Sequence, residues 1–228
     1  MASEALCFDM YGTLCDTSSV TDRLGEMLGV TEDLVRAIDR LWRQKQLQYS
    51  YHRGQMEAYE PFWEVTGDAL DYALAFYDVD TAVGERERIR DAYNHLEPFD
   101  GAVAALERLG EAGYTRTVLS NGNPEMLETL AENAGLRPHL DDIISAHEVR
   151  TFKPGPAVYE NAADRVDRDV GECRLISSNA WDIAGASNAG MATGWVNRYR
   201  EPPEQLGERA DVVVANLPAL PDALGASE

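Results

Sequence analysis

Residues 4–14, Glu4-Ala5-Leu6-Cys7-Phe8-Asp9-Met10-Tyr11-Gly12-Thr13-Leu14, begin as a run of β-formers that delivers an aspartate just before a glycine-bearing turn. A strand with a carboxylate at its carboxyl end fits an open parallel sheet, in which ligands bind beyond the strand ends. Further β-rich segments recur at Tyr114 to Ser120, Asp142 to Ser145, Cys173 to Ser178, Ala192 to Asn197 and Asp211 to Ala215. Between most of them, Gly101 to Glu111, Pro124 to Ala134, Pro156 to Val166 and Trp181 to Ala189 carry apolar residues at helical spacing. The alternation predicts an α/β fold with a doubly wound parallel sheet.

One interval breaks the pattern. From Thr17 to Glu97 no convincing strand occurs, and helical patterns run over Val20 to Leu28, Thr31 to Gln48, Gln55 to Phe76 and Thr81 to Leu96. This predicts a smaller helical cap domain, residues 17–96, inserted after the first strand of a core made of residues 1–16 and 97–228. The expected hinges lie near Cys15 to Ser18 and Leu96 to Asp100, where Pro98 and Gly101 punctuate the chain. The last ten residues are expected to fray.

Composition bounds the function. A chain of 228 residues with 44% hydrophobic and 26% charged side chains is too apolar for disorder and suits one domain with an insertion. The longest uncharged stretch, Ile183 to Asn197, is fifteen residues with three glycines, short of the roughly 20 that span a bilayer. Glu4 and Asp9 interrupt the first apolar run, so no signal peptide is expected. Twenty basic against forty acidic residues give a net charge of −20, which repels nucleic acid and favours a small-molecule substrate. Lys45 and Lys153 are the only lysines, the other eighteen basic residues being arginine. That bias fits either a GC-rich genome or a salt-rich cytoplasm, and the second is preferred because the Debye length falls to about 3 Å at 1 M salt. Cys7, Cys15 and Cys173 form no CxxC pair, so neither a zinc site nor a disulfide framework is indicated and a cytoplasmic location is expected.

Four polar clusters stand where strands should end: Phe8-Asp9-Met10-Tyr11-Gly12-Thr13-Leu14, Ser120-Asn121-Gly122, Lys153-Pro154, and Ser177-Ser178-Asn179-Ala180-Trp181-Asp182. In this order they resemble the four motifs of the haloacid dehalogenase superfamily over nearly the whole chain, which implies a Rossmann-like core. Most members are phosphatases, and this chain departs from their pattern twice. Tyr11 stands where they place a second Asp. The fourth cluster offers one carboxylate, whereas a divalent oxygen-ligand site commonly wants two or more acids. With Trp42-Arg43-Gln44-Lys45-Gln46-Leu47, what remains resembles the L-2-haloacid dehalogenases, and implies a hydrolase needing neither metal nor cofactor.

The resemblance assigns roles. Asp9 is the nucleophile that attacks C2 of a short (S)-2-haloalkanoate and forms an ester. Thr13 holds its carboxylate. Lys153 is the adjacent cation, and an opposite charge within about 4 to 6 Å favours the ionised form of a carboxyl. Arg43 and Asn121 receive the departing halide, while Ser120 and the backbone N–H groups around Met10 and Tyr11 receive the substrate carboxylate. Gln44, Phe62 and Trp181 are expected to line the pocket, and Met10 to tune substrate size. Ser177, Asn179 and Asp182 are candidates to position or deprotonate the hydrolytic water; Asp182 alternatively anchors Lys153, in a network with Tyr159. Relatives are commonly homodimers packed through cap helices. The alternatives are a Mg²⁺-dependent phosphatase of the same superfamily and a degenerate member that only binds a metabolite or a protein.

Overall fold

The computed structural model describes residues 4–226. β1 (Ala5–Phe8) is followed by four helices, α1 (Ser18–Leu28), α2 (Glu32–Gln55), α3 (Phe62–Phe76) and α4 (Val83–Asp91). After a 3-10 turn at Ala92–Asn94 the alternating part begins with α5 (Ala102–Glu111), β2 (Thr115–Ser120), α6 (Pro124–Asn133) and β3 (Asp142–Ser145). It continues through α7 (Pro156–Arg165), β4 (Cys173–Ser177), α8 (Ala180–Ala189), β5 (Ala192–Val196), β6 (Val212–Val214) and the short α9 (Leu220–Ala223).

The strands form one parallel sheet in the order β3-β2-β1-β4-β5-β6. The chain steps from β1 to β3 in one direction and from β4 to β6 in the other, so the order reverses at β1. Such a switch point is where an open sheet leaves a crevice for ligand. Strand side chains alternate between the faces. Leu6, Phe8, Val118 and Ile176 meet Leu106 and Leu109 of α5 and Leu127 and Leu130 of α6. Ala5, Cys7, Leu119 and Leu175 meet Val158 and Ala162 of α7 and Ile183 and Ala186 of α8. Both faces are thereby covered, as parallel sheets require.

Helices α2 and α3 are fastened by polar as well as apolar contacts. The buried Trp42 indole donates to the Thr66 carbonyl at 2.9 Å, and Gln46 Nε2 donates to Thr66 Oγ1 at 2.7 Å. The break between these helices falls later than predicted. α2 stays helical through Gln55, and the turn lies at residues 56–61, where Glu57 takes a left-handed φ of 55° and Pro61 precedes α3. Tertiary contact sustains the extra turns: the Tyr51 ring meets Trp181 edge to face, centroids 5.6 Å apart.

The expectation of a fraying tail is also corrected. Leu220 and Ala226 are buried, and the Tyr114 hydroxyl donates to the Leu224 carbonyl at 2.9 Å. This segment covers the end of the sheet beside α5; the rest of the predicted tail, residues 227–228, lies outside the described residues. Among the described residues no helix is long and apolar enough to cross a membrane.

Candidate active site

Asp9 stands one residue past β1, its N–H donating to the Ile176 carbonyl at 2.9 Å. The chain then turns tightly, with the Leu14 and Cys15 amides both returning to the Met10 carbonyl at 3.0 Å. Gly12 adopts a left-handed φ of 79°, a conformation a side chain would strain. The turn brings Thr13 back to the carboxylate. Thr13 Oγ1 donates to Asp9 Oδ2 at 2.9 Å and accepts the Ser178 amide at 2.9 Å. Asn179 Nδ2 donates to the same oxygen at 2.9 Å, while Lys153 Nζ meets Oδ1 at 3.3 Å.

Lys153 is buried between two carboxylates, its Nζ lying 2.8 Å from Asp182 Oδ2. Burial pulls the ammonium toward neutrality, but Asp182 and Asp9 outweigh it and hold its pKa above the ordinary lysine value. Asp182 Oδ1 accepts the Tyr159 hydroxyl at 2.7 Å. Burial pushes the Asp182 carboxyl up, against the pull of Lys153. Burial likewise raises the Tyr159 hydroxyl, reinforced by Asp182, so Tyr159 stays protonated and donates. Asp182 therefore spends Oδ2 on Lys153 and Oδ1 on the Tyr159 hydroxyl. Ser177 Oγ accepts the Asn179 amide at 3.1 Å and shapes the turn. Of the three candidates for handling water, Asn179 alone touches Asp9 and lines the cavity.

The cavity above Asp9 measures about 270 Å³. Its polar wall is Asp9, Arg43, Ser120, Asn121, Lys153 and Asn179; Tyr11, Leu47, Phe62, Tyr93 and Trp181 form the less polar wall. Burial pushes the Tyr11 hydroxyl pKa well up, which disqualifies it as a proton donor of carboxyl strength. Asn121 Oδ1 accepts the Lys153 amide at 2.8 Å, which fixes its side chain at the wall, and Ser120 Oγ accepts the Gly122 amide at 3.3 Å. The amides of Met10 and Tyr11 make no backbone hydrogen bond within the turn. Arg43 Nε is held by Asp39 at 2.9 Å and Nη2 by the Thr17 carbonyl at 2.7 Å. A larger cavity of about 620 Å³ lies past Trp181, lined by Tyr51, Phe152, Pro154 and Leu206 among others, but Asp9 does not reach it. Among the described residues no group of three or more His, Cys, Asp or Glu side chains gathers in metal-binding geometry.

Two expectations are corrected. Gln44 is exposed and absent from the wall, because it lies about 100° around α2 from Arg43; one turn on, Gln46 and Leu47 take that place. The Met10 side chain is fully buried in the core, its Sδ 3.8 Å from Cys15 Sγ, so Met10 can meet a substrate only through its backbone. Tyr93, which stands edge to face with Tyr11 at 5.7 Å and Trp42 at 5.4 Å, was not foreseen. It sits in a 3-10 turn after α4, inside the stretch read as one helix from Thr81 to Leu96, and helical spacing alone does not mark which of those residues faces the cavity.

Residues 4–190 match the family described as haloacid dehalogenase-like hydrolase. The chain is 40% identical to (S)-2-haloacid dehalogenase 4A of Burkholderia cepacia, over 88% of this chain and 85% of that one. It is 39% identical to (S)-2-haloacid dehalogenase 1 of Pseudomonas sp. strain CBS-3, over 96% of each. Among solved structures, the L-2-haloacid dehalogenase of Xanthobacter autotrophicus with chloropropionic acid covalently bound superposes with a TM-score of 0.91 at 32% identity, covering 99% of this chain and 100% of that one.

Proposed function

The chain belongs to the haloacid dehalogenase-like hydrolase family, and from that premise we propose that it hydrolyses short (S)-2-haloalkanoic acids to (R)-2-hydroxyalkanoic acids and halide. The observation that carries this reading is the Asp9 carboxylate, held by Thr13, Asn179 and Lys153 beneath a small cavity that Arg43 and Asn121 also line. Asp9 Oδ1, with a single contact at 3.3 Å, is the freer oxygen and attacks C2. The new O–C2 bond forms as the carbon–halogen bond breaks, and halide leaves with the electron pair toward Arg43 and Asn121. Ser120 and the amides of Met10 and Tyr11 bind the substrate carboxylate. Water positioned by Asn179 then adds to the ester carbonyl of Asp9 and the bond from that carbon to the C2 oxygen breaks; one water proton passes to the departing alkoxide, giving the hydroxy acid, the other is released to solvent, and the Asp9 carboxylate is restored. C2 is attacked once, so its configuration inverts once.

The Mg²⁺-dependent phosphatase reading is not favoured. Tyr11 supplies no carboxyl where phosphatases carry their second Asp, and the Asp9–Asp182 pair is bridged by an ammonium. The proposal includes a core of residues 1–16 and 97–228 with a cap of residues 17–96. A homodimer through the cap helices is supported by the exposed Tyr72 and Phe76 of α3. A cytoplasmic location is supported by three free, buried cysteines.

The deciding experiment offers each enantiomer of 2-chloropropionate to the purified protein and to Asp9→Asn, following chloride release and product configuration. S-specific release of (R)-2-hydroxypropionate by the parent, with the variant at background, is expected. Retained configuration, an active Asp9→Asn, or phosphate-ester hydrolysis with Mg²⁺ and no halide release would overturn it.

A further inference from the structure

Arg198 lies two residues past β5, outside the four motif clusters, and does not line the cavity above Asp9. Its guanidinium nonetheless gathers the surrounding turns. Nη1 donates to the Gly12 carbonyl at 3.0 Å and also to Ser178 Oγ; Nη2 donates to the Thr13 carbonyl at 2.7 Å. The plane packs on Phe99, 3.7 Å from the ring centroid. Phe99 belongs to the segment by which the chain returns from the helical insertion, and its amide donates to the Leu14 carbonyl at 2.9 Å. One planar group thus joins the nucleophile turn, the turn after β4 and the return segment.

The bonds form a relay to the carboxylate. Nη2 fixes the Thr13 backbone, and Nη1 fixes the Ser178 side chain. The amide of Ser178 fills an acceptor site on Thr13 Oγ1, and the hydroxyl proton is left to point at Asp9 Oδ2. We propose that Arg198 is a positioning residue for the nucleophile, setting the attitude of the Asp9 carboxylate through Thr13 and Ser178 without touching substrate. Lysine could not replace it, since an ammonium is a point charge and cannot span two carbonyls and a hydroxyl from one rigid fork. In-line attack on carbon is sensitive to such placement, a misplacement of about 1 Å costing on the order of 10²-fold.

The inference rests on the dehalogenase reading, and the test separates the two. Chloride release from (S)-2-chloropropionate is followed in single turnovers with enzyme in excess for the parent, R198A and R198K, beside steady-state KM, melting temperature and the effect of millimolar guanidinium. R198A is expected to lose roughly 10- to 100-fold in the single-turnover rate, with KM little changed and part of the rate restored by added guanidinium. R198K is expected to stay slow although its charge is kept; should R198A fail to fold, R198K decides alone. A parent-like rate per folded molecule in R198K, or a loss confined to KM or to melting temperature, overturns the inference while leaving the function intact. A parent inert toward every 2-haloacid overturns both.

Discussion

Arg43 is held on two sides by the protein itself, by Asp39 through Nε and by the Thr17 carbonyl through Nη2. A guanidinium fixed in this way needs no reorganisation when charge develops on the halogen, which is how preorganised donors lower a barrier. Arg43→Ala is expected to slow chloride release about 10²- to 10³-fold, while circular dichroism reports the parent fold; a loss below about tenfold would remove Arg43 from the displacement step. Lys153 gives a pH signature. Its folded pKa is raised, so its stabilising contribution is complete below the ordinary value of 10.5 and is lost as pH rises through the higher folded value. Initial rates of chloride release are therefore expected to show an alkaline limb only above pH 10.5, and a limb centred near neutrality would contradict Lys153 as the cation beside Asp9. At this scale much of the site was legible, because Asp9, Ser120 and Asn179 sit at or just past strand ends. Arg198 was not: its three acceptors are two backbone carbonyls and one serine hydroxyl, none of which leaves a mark in sequence.

Helix α8 comes unusually close to the loop that carries Lys153, and a glycine permits it. A Cβ on Gly185 would lie 2.4 Å from Pro154 Cβ and 2.6 Å from the Tyr159 hydroxyl. Gly185→Ala is expected to destabilise the protein by about 1–3 kcal/mol through overpacking, measured by urea unfolding; a variant as stable as the parent would contradict this packing. Helix α2 shows what residue strings alone leave undecided. The string from Trp42 to Leu47 identified the right helix, yet one string covers more than a full turn and therefore presents every face. Only packing against α3, through Trp42 and Gln46 on Thr66, decides that Arg43, Gln46 and Leu47 meet the cavity while Gln44 meets solvent. The helix break after Gln55 escaped for a related reason, since the contact between Tyr51 and Trp181 is long-range.

For the molecule as a whole, strand–helix alternation sufficed to foresee the doubly wound sheet and the helical insertion after β1, because both are written in hydrophobic period. The ordered carboxyl-terminal segment was not, because Leu217 and Leu220 acquire their partners only from distant elements. The net charge of −20 belongs to this scale too. Self-repulsion among forty acidic residues weakens as the Debye length falls from about 10 Å at 0.1 M salt to about 3 Å at 1 M. The melting temperature is accordingly expected to rise from low to molar sodium chloride, and a flat profile would remove the preferred reading of a salt-rich cytoplasm. The chemistry itself is tested most directly by isotope. In a single turnover of (S)-2-chloropropionate in H₂¹⁸O with enzyme in excess, the expected result is unlabelled 2-hydroxypropionate and one heavy oxygen in the peptide bearing Asp9. Heavy oxygen in the first-turnover product, with Asp9 unlabelled, would mean that water strikes C2 directly and would contradict the covalent route.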